Sequence, residues 1–176
     1  RKKGIEVLLL SDRVDEWLTD HLREFDGKSF RNVARGDLDL GTVQTDEEKK
    51  AQEDLSKEHA KVVERLKSSL GDRVSDVRIT SRLEDSPACL VLGEHDMGAQ
   101  MRRIMEAAGQ KAPATKPVLE VNPAHPLLAR LEGTDDEAAF TDLALILLDQ
   151  ATLADGTQLA DPAAFVKRLN KLLLSM

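Results

Sequence analysis

The chain has a single cysteine, Cys89, among 176 residues. No intrachain disulfide can form, which excludes a secreted disulfide scaffold. Tyrosine is absent, and one tryptophan and four phenylalanines are the only aromatics. That leaves no platform for stacking nucleic-acid bases. No lysine- or arginine-rich stripe occurs, and 32 acidic against 25 basic residues give a net charge of −7. Phosphate binding needs concentrated positive charge, so nucleic acid is not an expected partner. No signal sequence and no membrane-length apolar run are visible, which predicts a soluble cytoplasmic protein without a membrane partner. Glycine-rich phosphate loops, nucleophile elbows and zinc motifs are missing too. His21, His59, His95 and His125 are scattered and form no metal-ligand spacing.

What the chain has in excess is apolar helix surface near its C-terminal end. From Ala138 to Ala154 polar residues are confined to a narrow stripe of Thr141, Asp142, Asp149, Gln150 and Thr152. A helix covering a core from one side needs an apolar arc of only about 100°. Phe140, Leu143, Ala144, Leu147, Leu148 and Ala151 fill such an arc, and Leu145, Ile146 and Leu153 extend it. After Asp155-Gly156 a second helix carries Phe165, Val166, Leu169, Leu172, Leu173 and Leu174. Two such neighbours predict self-association into a helical bundle. The alternative is full burial of both in one monomeric core. Thr134-Asp135-Asp136-Glu137 has the form of a capping box, and Asp161-Pro162 that of an N-cap followed by proline at the first helical position.

Upstream the pattern changes. Ile5 to Leu10 is nearly all apolar, as in strands covered on both faces. Ser11-Asp12 then precede a helix with Val14, Trp17, Leu18 and Leu22, and Ser29 to Ala34 alternates weakly. This piece is too small to stand alone and reads as the end of a domain cut from a larger protein. Gly36 to Thr45 reads as a linker. Asp46 to Leu70 reads as one long charged helix with a thin stripe of Ala51, Leu55, Val62, Leu66 and Leu70. Strands are expected over Val74–Leu83, Ala88–Leu92 and Val118–Val121, forming a small sheet with helices packed on it.

Cys89 lies in an apolar strand and reads as a small hydrophobe, since nothing nearby would activate a thiol. Asp12, Asp15 and Glu16 crowd a strand–helix junction. They leave open a ligand site near Asp12 in a fragment of an α/β enzyme. Asn122-Pro123 has the form of a helix start, and His125 between prolines reads as a capping or surface residue. Met97, Met101, Ile104, Met105 and Ala108 fall on one face of a helix predicted over Asp96–Ala108. Methionine is over-used at adaptable binding surfaces. The same spacing also fits an ordinary buried face, so the residues alone leave both readings open.

Several stretches carry a family resemblance. They are the run from Arg1 to Trp17, Glu24-Phe-Asp-Gly-Lys28, Asp76-Val-Arg-Ile-Thr-Ser-Arg-Leu83 and Ala107-Ala-Gly-Gln-Lys111. Glu120-Val-Asn-Pro-Ala-His-Pro126, Leu147-Leu-Asp-Gln-Ala-Thr-Leu153 and Asp161 to Leu173 complete the set. Together they resemble the bacterial branch of the heat shock protein 90 chaperone family. The resemblance implies an α+β chain in which residues 1–44 are the end of a middle domain plus linker. Residues 45–176 are then the C-terminal dimerisation domain. It further implies a homodimer whose last two helices pair as an intermolecular four-helix bundle, with Phe140, Leu143, Leu147, Leu148, Ala151, Phe165, Leu169, Leu172 and Leu173 at its interface. Trp17, Met97, Met101, Ile104 and Met105 match client-contact positions; Ile104 and Met105 depart from the bacterial pattern but stay apolar. Partly unfolded client proteins are the implied partners. ATP and Mg²⁺ belong to missing parts of the parent, so no catalysis is expected of this chain. The acidic tail by which cytosolic eukaryotic members recruit cochaperones is not expected here, since the sequence ends Leu174-Ser175-Met176. A purely structural oligomerisation domain is the remaining alternative.

Overall fold

The computed structural model describes residues 6–10, 12, 14–30, 32–33, 46–93, 96–97, 99–111 and 115–174, apart from the side chains of Glu16, Trp17, Asp20, Ala99, Gln100, Arg103 and Glu106. The expected linker, Gly36 to Thr45, lies outside these residues, as do Ser11, His95 and Gly98.

The N-terminal unit holds a short helix, α1 (Asp15–His21), and a two-stranded hairpin, β1 (Glu24–Phe25) with β2 (Lys28–Ser29). Asp26 and Gly27 turn the hairpin with φ of 50° and 72°. Two consecutive positive φ values make the mirror-image turn whose twist matches the strands, which is why Asp-Gly stands there. The strand expected at Ile5–Leu10 is not formed over the described residues 6–10, which are exposed and join no sheet. A continuous apolar run signals a covered strand only where neighbouring strands exist to cover it. Among the described residues none pairs with it, and the enzyme reading near Asp12 loses the strand end it depends on. The Asp15 carboxylate accepts from the Asp12 backbone N–H at 2.8 Å.

The C-terminal unit begins with α2 (Asp46–Glu58) and α3 (Ala60–Leu70). The single helix expected over Asp46–Leu70 is therefore two. They meet at His59, whose backbone leaves helical geometry (φ −96°, ψ 11°) while its ring Nδ1 meets Glu132 Oε1 at 2.6 Å. Backbone bonds His59 N–H to Leu55 O and Val63 N–H to His59 O span the junction, so it is a kink rather than a turn. No residue of α2 is buried; α3 buries Val62, Leu66 and Leu70. Gln52 ties α2 to the sheet, donating to Ile79 O at 2.6 Å and accepting from Ser81 N–H at 3.1 Å.

The sheet has strands β3 (Asp76–Ile79), β4 (Ala88–Val91) and β5 (Val118–Val121) in the order β3-β5-β4. β5 runs parallel to β3 and antiparallel to β4. Alternation sends Val77, Ile79, Ala88, Leu90, Leu119 and Val121 to one face, where they join the core. α3 packs beneath β3, and α6 (Glu137–Ala154) beneath β4. α7 (Pro162–Leu174) lies along the outer side of α6.

Short helix α5 (Pro126–Glu132) begins at His125, not at Asn122. His125 Nδ1 accepts from Leu127 N–H, and Pro126 takes the first helical position. Asn122 is buried instead: its amide donates to Glu84 O and Ser86 O, and its Oδ1 accepts from Ala124 N–H. These bonds satisfy the polar atoms of the buried Asn122 side chain and tie it to the loop before β4. Likewise α6 is capped by Asp136, whose carboxylate accepts from Ala139 N–H at 2.6 Å. Thr134 donates to Arg130 O, so the expected capping box does not form. Asp161 does cap α7, accepting from Ala164 N–H at 2.9 Å.

Lys67 on α3 meets Asp76 on β3 at 2.7 Å. That hydrogen bond holds the Asp76 carboxyl below its ordinary value of 3.8. A carboxylate with a depressed folded value stabilises the fold above its unfolded value, and the effect fades as pH falls through the folded one. The pair is about half exposed, so its contribution is at most about 1 kcal/mol. Lys67→Met should therefore be slightly less stable than the parent at pH 7. The difference should vanish as pH drops below 3.8, as followed by urea denaturation at several pH values.

Candidate protein-binding surfaces

Two apolar surfaces stand out, and the fold explains why each is left over. The first is α4 (Ala99–Ala107), carried on the connection between β4 and β5. Antiparallel neighbours need only a short turn to join them. Here residues 92–117 leave the sheet, form a helix and return. Nothing in the topology of the sheet requires that excursion. Among the described residues, α4 contributes nothing to the buried core and packs extensively on no other element. Its C-terminal end is closed by Gly109 (φ 74°) and a bond from Gln110 N–H to Met105 O. That glycine-terminated geometry supplies partners for carbonyls the helix would otherwise leave open.

The helix begins later than the spacing predicted, at Ala99 rather than Asp96. Met97 therefore precedes it and does not share its face, although its side chain is half-buried. Ile104 is 53% exposed, Met101 and Met105 are half-buried, and Ala108 is exposed. The structure thus places Met101, Ile104 and Met105 on one helix and Met97 beside its start. Trp17 stands on α1, with its side chain outside the description.

The second surface is on α7, which has no buried residue. Arg168 reaches Asp149 and Lys171 reaches Asp142, both at 2.6 Å. The polar stripe of α6 is therefore the seat of α7 rather than a solvated face. Lys171 is held above its ordinary value of 10.5 by its hydrogen bond to Asp142. Leu172 packs against the core, whereas Phe165 and Leu169 are only half-buried. Val166 and Leu173 stay 50% and 59% exposed. With Leu169 they form a stripe at i, i+3 and i+7 beside the α6 contact.

The residues expected at a dimer interface therefore divide. Phe140, Leu143, Leu147, Leu148 and Ala151 are buried inside the protomer, against the sheet and α3. Their apolar arc is consumed by the chain's own core. Phe165, Leu169, Leu172 and Leu173 lie on α7 and remain at least partly accessible.

The polar face of the sheet carries a row that sequence reasoning did not find. Register places Arg78 and Cys89 on either side of Glu120 on the central strand. Arg78 Nη2 meets Glu120 Oε1 at 2.9 Å, and Arg82 Nε meets Oε2 at 2.6 Å. Cys89 is half-buried within this row rather than enclosed in the core. Burial pushes its thiol above the ordinary 9.0, with Arg82 pulling the other way. A raised thiol is protonated at neutral pH and is a poor nucleophile. A cleft of about 290 Å³ between β4, α5 and α6 lies at the small end of the ligand-pocket range, about 300–1,000 Å³. Among the described residues no three side chains of metal-ligating type gather, and no helix is long and apolar enough to cross a membrane.

Fold and surfaces together define a mixed helix-and-sheet module that offers apolar helix faces to solvent. A family model described as "Hsp90 protein" matches residues 1–176, and the chain belongs to the Hsp90 family. Members of that family are ATP-hydrolysing heat shock chaperones, which dimerise and bind client proteins.

Proposed function

We propose that this chain is the homodimerisation and client-binding module of a bacterial-type, HtpG-like chaperone. Residues 1–44 are the end of the middle domain and its linker, and residues 45–176 the dimerisation domain. The observation that carries the client-binding part is α4. It is a helix the sheet does not need, bearing Met101, Ile104 and Met105, and it has no seat in the core. Flexible methionines adapt to varied apolar segments, as a surface for many partly unfolded chains requires. The dimer part rests on the unpartnered stripe of α7. Dimerisation presents α4 twice and raises the effective concentration of the two arms for each other. ATP and Mg²⁺ act in other parts of the parent, and this chain itself catalyses nothing.

The test is a double substitution, Met101→Asp with Met105→Asp, assayed against a reduced and alkylated, fluorescently labelled unfolded protein. Binding measured by anisotropy should weaken at least tenfold, a loss of about 1.4 kcal/mol. The sedimentation mass should not change. Unaltered binding would refute the client role of α4. Loss of the dimer would show that the helix is structural, as in a pure oligomerisation domain.

A further inference from the structure

Arg82 lies just beyond β3 and spends its whole guanidinium on three partners. Nε meets Glu120 Oε2 at 2.6 Å, Nη2 reaches Cys89 Sγ at 3.5 Å, and Nη1 donates to Val33 O at 3.1 Å. The first two partners belong to the sheet. The third belongs to the end of the N-terminal unit, 49 residues earlier in the chain. Glu120 is a fixed anchor, with a side chain only 7% exposed on the central strand. A buried carboxylate needs cationic partners, and Arg78 supplies one from the neighbouring strand through Nε and Nη2. Arg82 is thus not the only charge answering Glu120.

A guanidinium is a rigid planar fork. Once Nε is seated on Glu120, the directions of Nη1 and Nη2 are fixed. A lysine ammonium is a rotatable point charge with no fixed plane, so it would not impose one geometry on the carboxylate and the carbonyl together. Meanwhile α1, β1 and β2 lay no extended packed face on the C-terminal unit among the described residues.

We propose that Arg82 is an interdomain latch: braced on Glu120, it holds the N-terminal unit at Val33 against the polar face of the sheet and sets the angle between the two units. It is a positioning residue and touches no client. The inference stands on this geometry and is independent of the client-binding reading. In the family's architecture the latch would pass the orientation of the middle domain on to the dimerisation domain.

The experiment is a distance measurement between spin labels by double electron–electron resonance. Labels are attached at Glu24→Cys on β1 and Ser68→Cys on α3, in a Cys89→Ser background whose hydroxyl keeps an acceptor for Arg82 Nη2. With Arg82 present, one narrow distance is expected. Arg82→Lys keeps the charge beside Glu120 but loses the fork, and it should broaden or split that distance while melting temperature holds. Arg82→Met with Glu120→Gln removes the guanidinium and the carboxylate it braces, and should broaden it equally. If that double variant fails to fold, Arg82→Lys decides the matter alone. A broad distribution with Arg82 intact, or a narrow one unchanged by Arg82→Lys, overturns the latch.

Discussion

Phe140→Ala should lower the unfolding free energy by about 3–5 kcal/mol. Phe140 is fully buried where α6 meets α3 and the sheet. Truncation removes its transfer energy and leaves a cavity that neighbours on three elements cannot all fill. The Arg65 guanidinium stands 3.9 Å from the ring centroid, adding a cation–π contact. Arg65 is held there by Glu137 at 2.8 Å and Thr134 O at 3.1 Å, so the start of α6 is tied to α3 twice over. Domains of this size are stable by about 5–15 kcal/mol in total, so the loss is a large share. Urea denaturation followed by far-UV circular dichroism reads it as a lower midpoint with unchanged slope. Phe140→Leu should recover most of it. A loss below about 1 kcal/mol would mean that α6 is not anchored through this ring, since measured Phe→Ala costs lie well above that.

The contrast between α6 and α7 shows what the sequence could and could not disclose. Periodicity identified both helices, and Asp161-Pro162 marked the start of α7 at the residue where the chain turns helical. Ala88–Leu92 and Val118–Val121 were legible because β-branched and apolar runs bounded by turns have few other uses. What periodicity could not supply was the partner of each face. The apolar arc of α6 looked surplus because the sheet and α3 that cover it are distant in sequence. Nor did spacing show that its polar stripe is where Arg168 and Lys171 of α7 sit. Ile5 to Leu10 erred in the opposite direction: a run that looked covered is exposed over the described residues 6–10. The kink at His59 was invisible because helical spacing continues through it, and Glu132, which meets the His59 ring, belongs to another helix. Spacing placed Met101, Ile104 and Met105 on one helix, and only the family resemblance suggested that this helix meets clients. The row of Arg78, Glu120 and Cys89 needed strand register, which only the assembled sheet provides.

Val166→Asp with Leu173→Asp should convert a dimer to a monomer without loosening the protomer. Both side chains are at least half exposed in the single chain, so carboxylates there meet water and the urea midpoint of the monomer should hold. In the proposed intermolecular bundle the same positions would be buried. Each aliphatic side chain contributes about 1.5–3 kcal/mol when fully covered, and a two-fold interface repeats every substitution. A loss of only about 4 kcal/mol already weakens association roughly a thousandfold. Sedimentation equilibrium at micromolar concentration therefore separates the outcomes: a parent dimer and a variant monomer, or no change in mass. The substitution is a cleaner probe than deleting α7. Deletion would also strip the partners of Asp142 and Asp149 and uncover the core beside Leu172. A monomer obtained that way could reflect a damaged protomer. A mass unchanged by Val166→Asp with Leu173→Asp would remove the α7 stripe from the interface and leave the dimer to some other surface.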